Sequence, residues 1–226
     1  MTATGRLDLH VHSRHSPDSR LPVSALAARA AAVGLRGFAL TDHNSVAGHA
    51  ELRDVARTYP GLLLLPGVEV STRDGHLLAY GVAEAPLRGR DLESTADWVR
   101  DRGGEPVISH PFRLRHGAGG RLAAVAHVTG LEVRNAHNSE ASNRRAAQWA
   151  ELRHLAATGG SDAHRLDDVG RAVTLFPESV STVDDLLEAI RTGRTSADGA
   201  SMPFGGRVAL ALSNGAKYLA RGLRSV

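Results

Sequence analysis

The sequence predicts an α/β chain built on one parallel sheet with its helices outside, able to close into a barrel. Three observations predict it. Strand-like and helix-like segments alternate in roughly seven units, the rhythm of a sheet with crossover helices. The length of 226 residues suits a single domain of barrel or open-sheet size. An apolar fraction of 42% is enough for a full core, and with aromatics at 4% that core must be aliphatic.

The elements follow in order. Arg6–His12 reads as the first strand. Pro22–Val33 is a helix, with Pro near its first turn, where the missing N–H costs nothing, and Gly34 as its stop. Gly37–Thr41 is the second strand and Val46–Thr58 the second helix, ended by Tyr59-Pro60-Gly61. Leu62–Thr72 is the third strand, broken at Pro66-Gly67, and Leu77–Val82 the fourth. Asp91–Asp101 is a helix with Trp98 inward. Pro106–Ser109 and Gly130–Asn135 are strands, and Ser139–Ala156 a long helix rich in Ala and Arg. Ala157–Ser161 is a short seventh strand, and Ala172–Phe176 reads as one more. Thr182–Thr192 is a helix with Thr182 as N-cap, acids in its first turn and Gly193 as stop. Gly117–Gly120 is a loop beside the strand ends and matches no phosphate-binding glycine loop. The C-terminal stretch Arg207–Val226 is amphipathic and basic; the reading taken is a final helix laying Leu210, Leu212 and Leu219 on the barrel, ahead of a role at anionic lipid or nucleic acid.

Charge and composition exclude several classes. A formal charge of +3 is a weak signal for nucleic acid, despite a pI of about 9.9. With no cysteine, disulfides and thiolate metal sites are excluded, leaving imidazole and carboxylate as ligands. No apolar run approaches the roughly 20 residues of a membrane span. Met1–Arg6 is short and polar, with no signal-peptide pattern, and a cytoplasmic protein is expected.

Twelve histidines are present, half of them in short patterns beside strands. His10 and His12 end the first strand at i, i+2 spacing, which places both rings on one face and within reach of one ion. Asp18 follows in a Ser-Pro-Asp-Ser loop that can swing over the same strand ends. Asp42-His43 closes the second strand; His43 is expected to act directly, while Asp42, like Asp8, orients a ligand. Glu69 lies among valines in a buried strand, where an acid needs a partner; a carboxylate bridging two cations explains it better than a lone ion pair. His76 opens the next strand. His110 precedes Pro111, which biases it to extended backbone at a strand end. Asp162 and His164 repeat the i, i+2 spacing after two glycines. Glu132 and Asn135 end a strand and line the site. The pattern leaves open whether Asp8, Asp42 or Glu132 touches metal. Of the other histidines, His15 and His137 lie near strand ends, and His49, His116, His127 and His154 read as helix, loop or surface residues.

Taken together these motifs resemble the PHP (polymerase and histidinol phosphatase) superfamily. The match comprises Asp-Leu-His-x-His, the following Ser-x-Asp, Thr-Asp-His-Asn, Gly-Val-Glu-Val-Ser-Thr, Gly-His, His-Pro, Glu-Val-x-Asn and Gly-Ser-Asp-Ala-His, in family order, over about residues 6–195. The resemblance implies a distorted (β/α)7 TIM-like barrel as a single domain, with its site at the C-terminal ends of the strands. The barrel is expected over residues 1–200, with 201–226 as a C-terminal amphipathic helical extension packed on it. Two or three divalent ions of Mn, Fe or Zn are implied: one held by His10, His12, Glu69 and Asp162, a second by Glu69, His76 and His110, a third by Asp18, His43 and His164. The large inserted domain that some family phosphatases carry between the positions of His76 and His110 is replaced here by a short connection.

The function this implies is phosphate ester hydrolysis, in which a metal-bridging hydroxide attacks phosphorus in line at a di- or trinuclear centre. Arg113 is the expected clamp on the non-bridging oxygens, ahead of Arg134 and Arg165, with Asp42 and His137 as further active-site residues. The expected substrate is a phosphorylated small molecule or nucleotide. The alternatives are a nuclease trimming RNA or single-stranded DNA ends, for which aromatics are few, and a non-catalytic binding protein stapled by metal.

Overall fold

The computed structural model of the chain describes residues 4–124 and 127–202. Its strands are β1 (Thr4–Val11), β2 (Gly37–Leu40), β3 (Leu63–Ser71), β4 (His76–Tyr80), β5 (Glu105–Ile108), β6 (Gly130–Asn135), β7 (Ala156–Gly160), β8 (Ala172–Pro177) and β9 (Ser196–Gly199). Its α-helices are α1 (Val23–Ala32), α2 (His49–Thr58), α3 (Leu92–Arg100), α4 (Glu140–Leu152) and α5 (Val183–Arg191). The strands form one sheet in the order β7-β6-β5-β4-β3-β2-β1-β8-β9. The sheet nearly closes on itself where the ends of β7 and β1 meet: Asp162 N–H donates to His10 O at 2.7 Å and His12 N–H to Ala163 O at 3.1 Å. This is the distorted barrel expected.

The distortion lies in strand direction, which corrects the expectation of a parallel sheet. β1, β2 and β3 are parallel, as are β5, β6 and β7. β4 is antiparallel to both of its neighbours. It follows β3 through the tight turn Thr72–Gly75, where Thr72 N–H donates to Gly75 O at 3.0 Å, so no crossover helix intervenes. β8 adds antiparallel to β1, and β9 antiparallel to β8. Pro66-Gly67 does not break β3. It is the point where the strand changes partners, from Leu40 opposite Pro66 to Tyr80 opposite Gly67.

Other boundaries move for local reasons. α2 starts at His49, three residues after the expected start, with Gly48 as its cap. α4 stops at Leu152 because the chain turns back there: His154 takes a left-handed φ of 53°, and Leu155 N–H closes on Ala150 O at 2.9 Å. Trp98 is half-buried, its outer face covered by the Arg102 guanidinium at 3.9 Å. The stretch expected as a C-terminal helix, from residue 203 onward, lies outside the described residues.

The core is aliphatic. Leu7 and Leu9 of β1, Leu65 of β3, Leu78 and Tyr80 of β4 and Val107 of β5 pack with Leu186 and Ile190 of α5. α3 and α4 cover β4–β6 through Leu92, Val99, Ala146 and Ala150, and α1 and α2 cover the first strands through Leu26, Ala30, Leu52 and Val55. The histidine-bearing ends of the strands are thereby left to the polar site.

Candidate metal centre

The strand ends bring together all nine residues expected as ligands. β1 delivers His10 and the residue just past its end is His12, both wholly buried, with their Nε2 atoms 3.1 Å apart. The loop after β1 folds back so that Ser16 Oγ donates to Asp18 Oδ1 at 2.6 Å. Asp18 Oδ2 then faces His164 Nε2 at 2.7 Å and His43 Nε2 at 3.4 Å. Asp42 and His43 follow the end of β2, and His43 bridges across to Glu69 of β3.

Glu69 is the hub. Its carboxylate is 1% exposed and divides its two oxygens between two groups of rings. Oε2 faces His10 at 3.2 Å, His12 at 3.3 Å and His43 at 3.4 Å. Oε1 faces His76 Nδ1 at 2.9 Å, His110 Nε2 at 3.0 Å and the Ser109 hydroxyl at 3.0 Å. Asp162 adds a second carboxylate, with Oδ1 3.2 Å from His12 Nε2 and 3.6 Å from His10 Nε2. Burial acts to raise the pKa of Glu69 and Asp162, but the charges of His10 and its neighbours outweigh it and hold both well below the carboxylate range.

Ligand atoms of His10, His12, Glu69 and Asp162 lie within 4.8 Å of one another, as do those of His12, Asp18, His43 and His164, and those of His43, Glu69 and His76. Buried His43 Nδ1, His76 Nε2 and His110 Nδ1 have no hydrogen-bond partner among the described residues. So many buried rings and acids, incompletely satisfied by one another, fit a cation better than a structural hydrogen-bond network.

The backbone reaches this arrangement at some cost. His110, expected in extended backbone before Pro111, instead has φ 27°, and Asp162 has φ 57°, left-handed values unusual for non-glycine residues. Gly160 lies so close to β1 that a Cβ there would stand 2.3 Å from His10 Cβ. Gly160 permits that approach, while Gly159 permits the approach to β8, where a Cβ would stand 2.5 Å from Val173 O.

A second layer of side chains orients the first. Glu132 Oε1 accepts from His10 Nδ1 at 2.9 Å, while Oε2 accepts from the His110 N–H at 2.8 Å and from Asn135 Nδ2 at 3.0 Å. His10 therefore presents Nε2 to the site. His164 Nδ1 lies 2.8 Å from Asp162 O, and its Nε2 faces Asp18 in the same way. Asp42 accepts from the Ser13 N–H at 2.6 Å and the Ser13 hydroxyl at 2.7 Å, pinning the start of the Asp18 loop. Asp8 does the same for the β7 end, accepting from Ser161 N–H and from Gly170 N–H, both at 2.8 Å. Burial pushes the Asp8 carboxyl up to about 6 despite these bonds.

The other expected site residues have particular places. Arg113 donates from Nη2 to Asp162 Oδ2 at 2.7 Å and to Asn135 Oδ1 at 2.8 Å, and from Nε to Asn138 Oδ1 at 3.1 Å. Buried His137 stands 3.7 Å from Asp162 Oδ2 and 3.9 Å from Asp168 Oδ2, too far for hydrogen bonds. Arg134 is paired with Glu140, and Arg165 is exposed. His15 reaches Glu51 rather than the site. His116, expected as a loop residue, stacks on His76 at 4.8 Å; nothing in its sequence neighbourhood signals that contact. Glu132 did carry a signal: like Glu69, it is an acid among apolar residues near a strand end.

Comparison with known proteins agrees with this architecture. A family model described as PHP domain matches residues 8–157, and one described as PHP-associated matches residues 140–195. A probable phosphatase of Edwardsiella ictaluri is 31% identical, over 73% of this chain and 80% of that protein. The crystal structure of PsfC from Pseudomonas syringae has a TM-score of 0.72 at 23% identity, covering 97% of this chain and 100% of that one. A two-domain protein from Bacteroides vulgatus, described as containing a predicted PHP-like metal-dependent phosphoesterase, gives 0.73 at 22% identity; the match covers 88% of this chain and 66% of that one. At these identities the two structures speak to the fold. No helix among the described residues is long and apolar enough to cross a membrane.

Proposed function

The chain belongs to the PHP domain family, and on that premise we propose that it is a metal-dependent phosphoesterase that hydrolyses phosphate monoesters of a small molecule or nucleotide. The observation that carries the reading is Glu69, whose oxygens face two separate sets of imidazoles, His10, His12 and His43 on one side and His76 and His110 on the other. That is the arrangement a bridging carboxylate needs. We assign one cation to His10, His12, Glu69 and Asp162, a second to Glu69, His76 and His110, and a third to Asp18, His43 and His164. Such ions, Mn, Fe or Zn, supply Lewis acidity: they lower the pKa of water and offset charge on phosphoryl oxygens.

The chain's own residues do the rest. Glu132 and the Asp162 carbonyl set the ring tautomers of His10 and His164. Asp42 holds the loop that carries Asp18 through Ser13. His137 stands between two carboxylates, Nδ1 3.7 Å from Asp162 and Nε2 3.9 Å from Asp168, and we assign it to the active site beside Asp162. The segment between β4 and β5 holds only α3, so bulky covering structure is not supplied from there, and a small substrate in an open site is favoured.

The test is phosphate release by manganese-loaded protein across a panel of phosphomonoesters and short oligonucleotides, with His110→Ala in parallel. Monoester turnover that the variant loses is the expected result. Absence of monoester turnover overturns the reading; cleavage of oligonucleotides alone would make the protein a nuclease, and metal binding without any turnover a binding protein.

A further inference from the structure

The outer oxygen of Asp162 is not free. Asp162 is 3% exposed and uses its carboxylate in two directions. Oδ1 faces His12 and His10 at 3.2 and 3.6 Å, while Oδ2 receives Arg113 Nη2 at 2.7 Å. The same Nη2 donates to Asn135 Oδ1 at 2.8 Å, and Nε to Asn138 Oδ1 at 3.1 Å, so the guanidinium plane is fixed at two nitrogens. Those asparagines are themselves held by Asn143 of α4. Asn143 Oδ1 accepts from Asn135 N–H and from Asn138 Nδ2, both at 3.2 Å, and Asn143 Nδ2 donates to Asn135 O at 3.0 Å. The chain thus builds a rigid support from α4 through two asparagines to Arg113, ending on one oxygen of one carboxylate.

We infer that Arg113 is a positioning residue that confines Asp162 to binding a cation through Oδ1 alone. The inference rests on the assignment of Asp162 as a metal ligand. A carboxylate free to rotate can chelate one ion with both oxygens and fill an extra coordination position. A guanidinium held in plane on Oδ2 prevents this, because it takes the second oxygen by a charge-assisted hydrogen bond and cannot approach a cation itself. The position so spared on the ion is the one a water or phosphoryl oxygen needs. The backbone at Asp162 is left-handed, φ 57°. In this role the guanidinium serves the metal site, where the sequence pattern alone suggested a clamp on substrate.

The experiment loads the protein and its Arg113→Met variant with cobalt(II) and records visible absorption, metal stoichiometry and hydrolysis kinetics. With Asp162 freed to chelate, the coordination number rises, so the cobalt bands should weaken at unchanged stoichiometry. The kinetic expectation is a fall in kcat of about tenfold or more with KM within about threefold. An unchanged cobalt spectrum, with KM raised about tenfold at constant kcat, would overturn the inference and make Arg113 a substrate clamp. Arg113→Lys, which keeps the charge but loses the planar fork, carries the same test if Arg113→Met does not fold; it should show the spectral change too. The spectrum reads the inference whether or not a phosphomonoester is turned over, so failure of the proposed activity and failure of this role are distinguishable.

Discussion

Glu132 of β6 ties three strand ends to one buried carboxylate, through His10 of β1, the backbone N–H of His110 beyond β5 and Asn135 of its own strand. Replacing it with Gln keeps the volume but lets the amide donate toward His10 Nδ1, which would favour the wrong tautomer. Glu132→Gln should therefore weaken metal binding about 10- to 100-fold, measured by calorimetric titration of the metal-free protein. Wild-type affinity in the variant would show that His10 does not need this partner. The candidate ligands were legible in the sequence because residue type and i, i+2 spacing are local properties. The partnership of Glu132 with His10 was not, since it joins positions 122 residues apart and depends on how the strands stack. The His116 ring against His76 was hidden for the same reason.

Two elements set how closely the candidate ligands approach one another. β7 lies against β1 because Gly160 has no side chain; a Cβ would stand 2.3 Å from His10 Cβ and 2.7 Å from His10 N. Gly160→Ala must push the strands apart, so a loss of roughly 1–3 kcal/mol in stability is expected by urea unfolding, together with weakened metal binding. Unchanged stability would mean the barrel seam yields freely. The Asp18 loop is held to α2 by Glu51, which meets His15 Nε2 at 2.9 Å, Arg14 Nη2 at 3.0 Å and the Val23 N–H at 3.2 Å. Partial burial acts to raise the Glu51 pKa, but the bonds from His15 and Val23 and the Arg14 charge outweigh it and hold it below the ordinary 4.5. A lowered folded pKa means stability that is present above 4.5 and lost as pH falls through the lower value. Glu51→Gln should then be less stable than wild type by about 1 kcal/mol at neutral pH, with the gap closing below that range. A gap that stays constant on acidification would place the effect in packing. Element type was legible wherever apolar periodicity was strong. Direction was not: alternation of strand and helix suggested parallel strands throughout, although Arg73-Asp74-Gly75 is a turn signal for the β3–β4 hairpin. β9 escaped because Ser196–Gly199 is short, largely exposed and lacks an apolar face.

Across the whole molecule, the proposed ligands come from β1, β3 and β4 and from the segments after β1, β2, β5 and β7, so bound cations would cross-link strand ends that the sheet alone leaves crowded with buried acids and imidazoles. The other end of the barrel needs no such help, since α5 closes it with Leu186 and Ile190 against the core strands. The two ends therefore differ in what holds them, apolar packing at one and charge neutralisation at the other. Because the unfolded chain scatters these ligands over about 150 positions, it should bind the ions far more weakly than the native barrel does. At a free metal concentration of about one hundred times Kd, binding adds roughly 2.7 kcal/mol per site. For a chain of this size that corresponds to a rise in Tm of about 5 to 10 °C for one site. Thermal unfolding in manganese and after exhaustive chelation should differ by at least that amount, and the difference should grow with metal concentration. A Tm indifferent to chelation would show that the clustered histidines and acids hold no ion tightly enough to matter, and the proposed chemistry would lose its foundation with it.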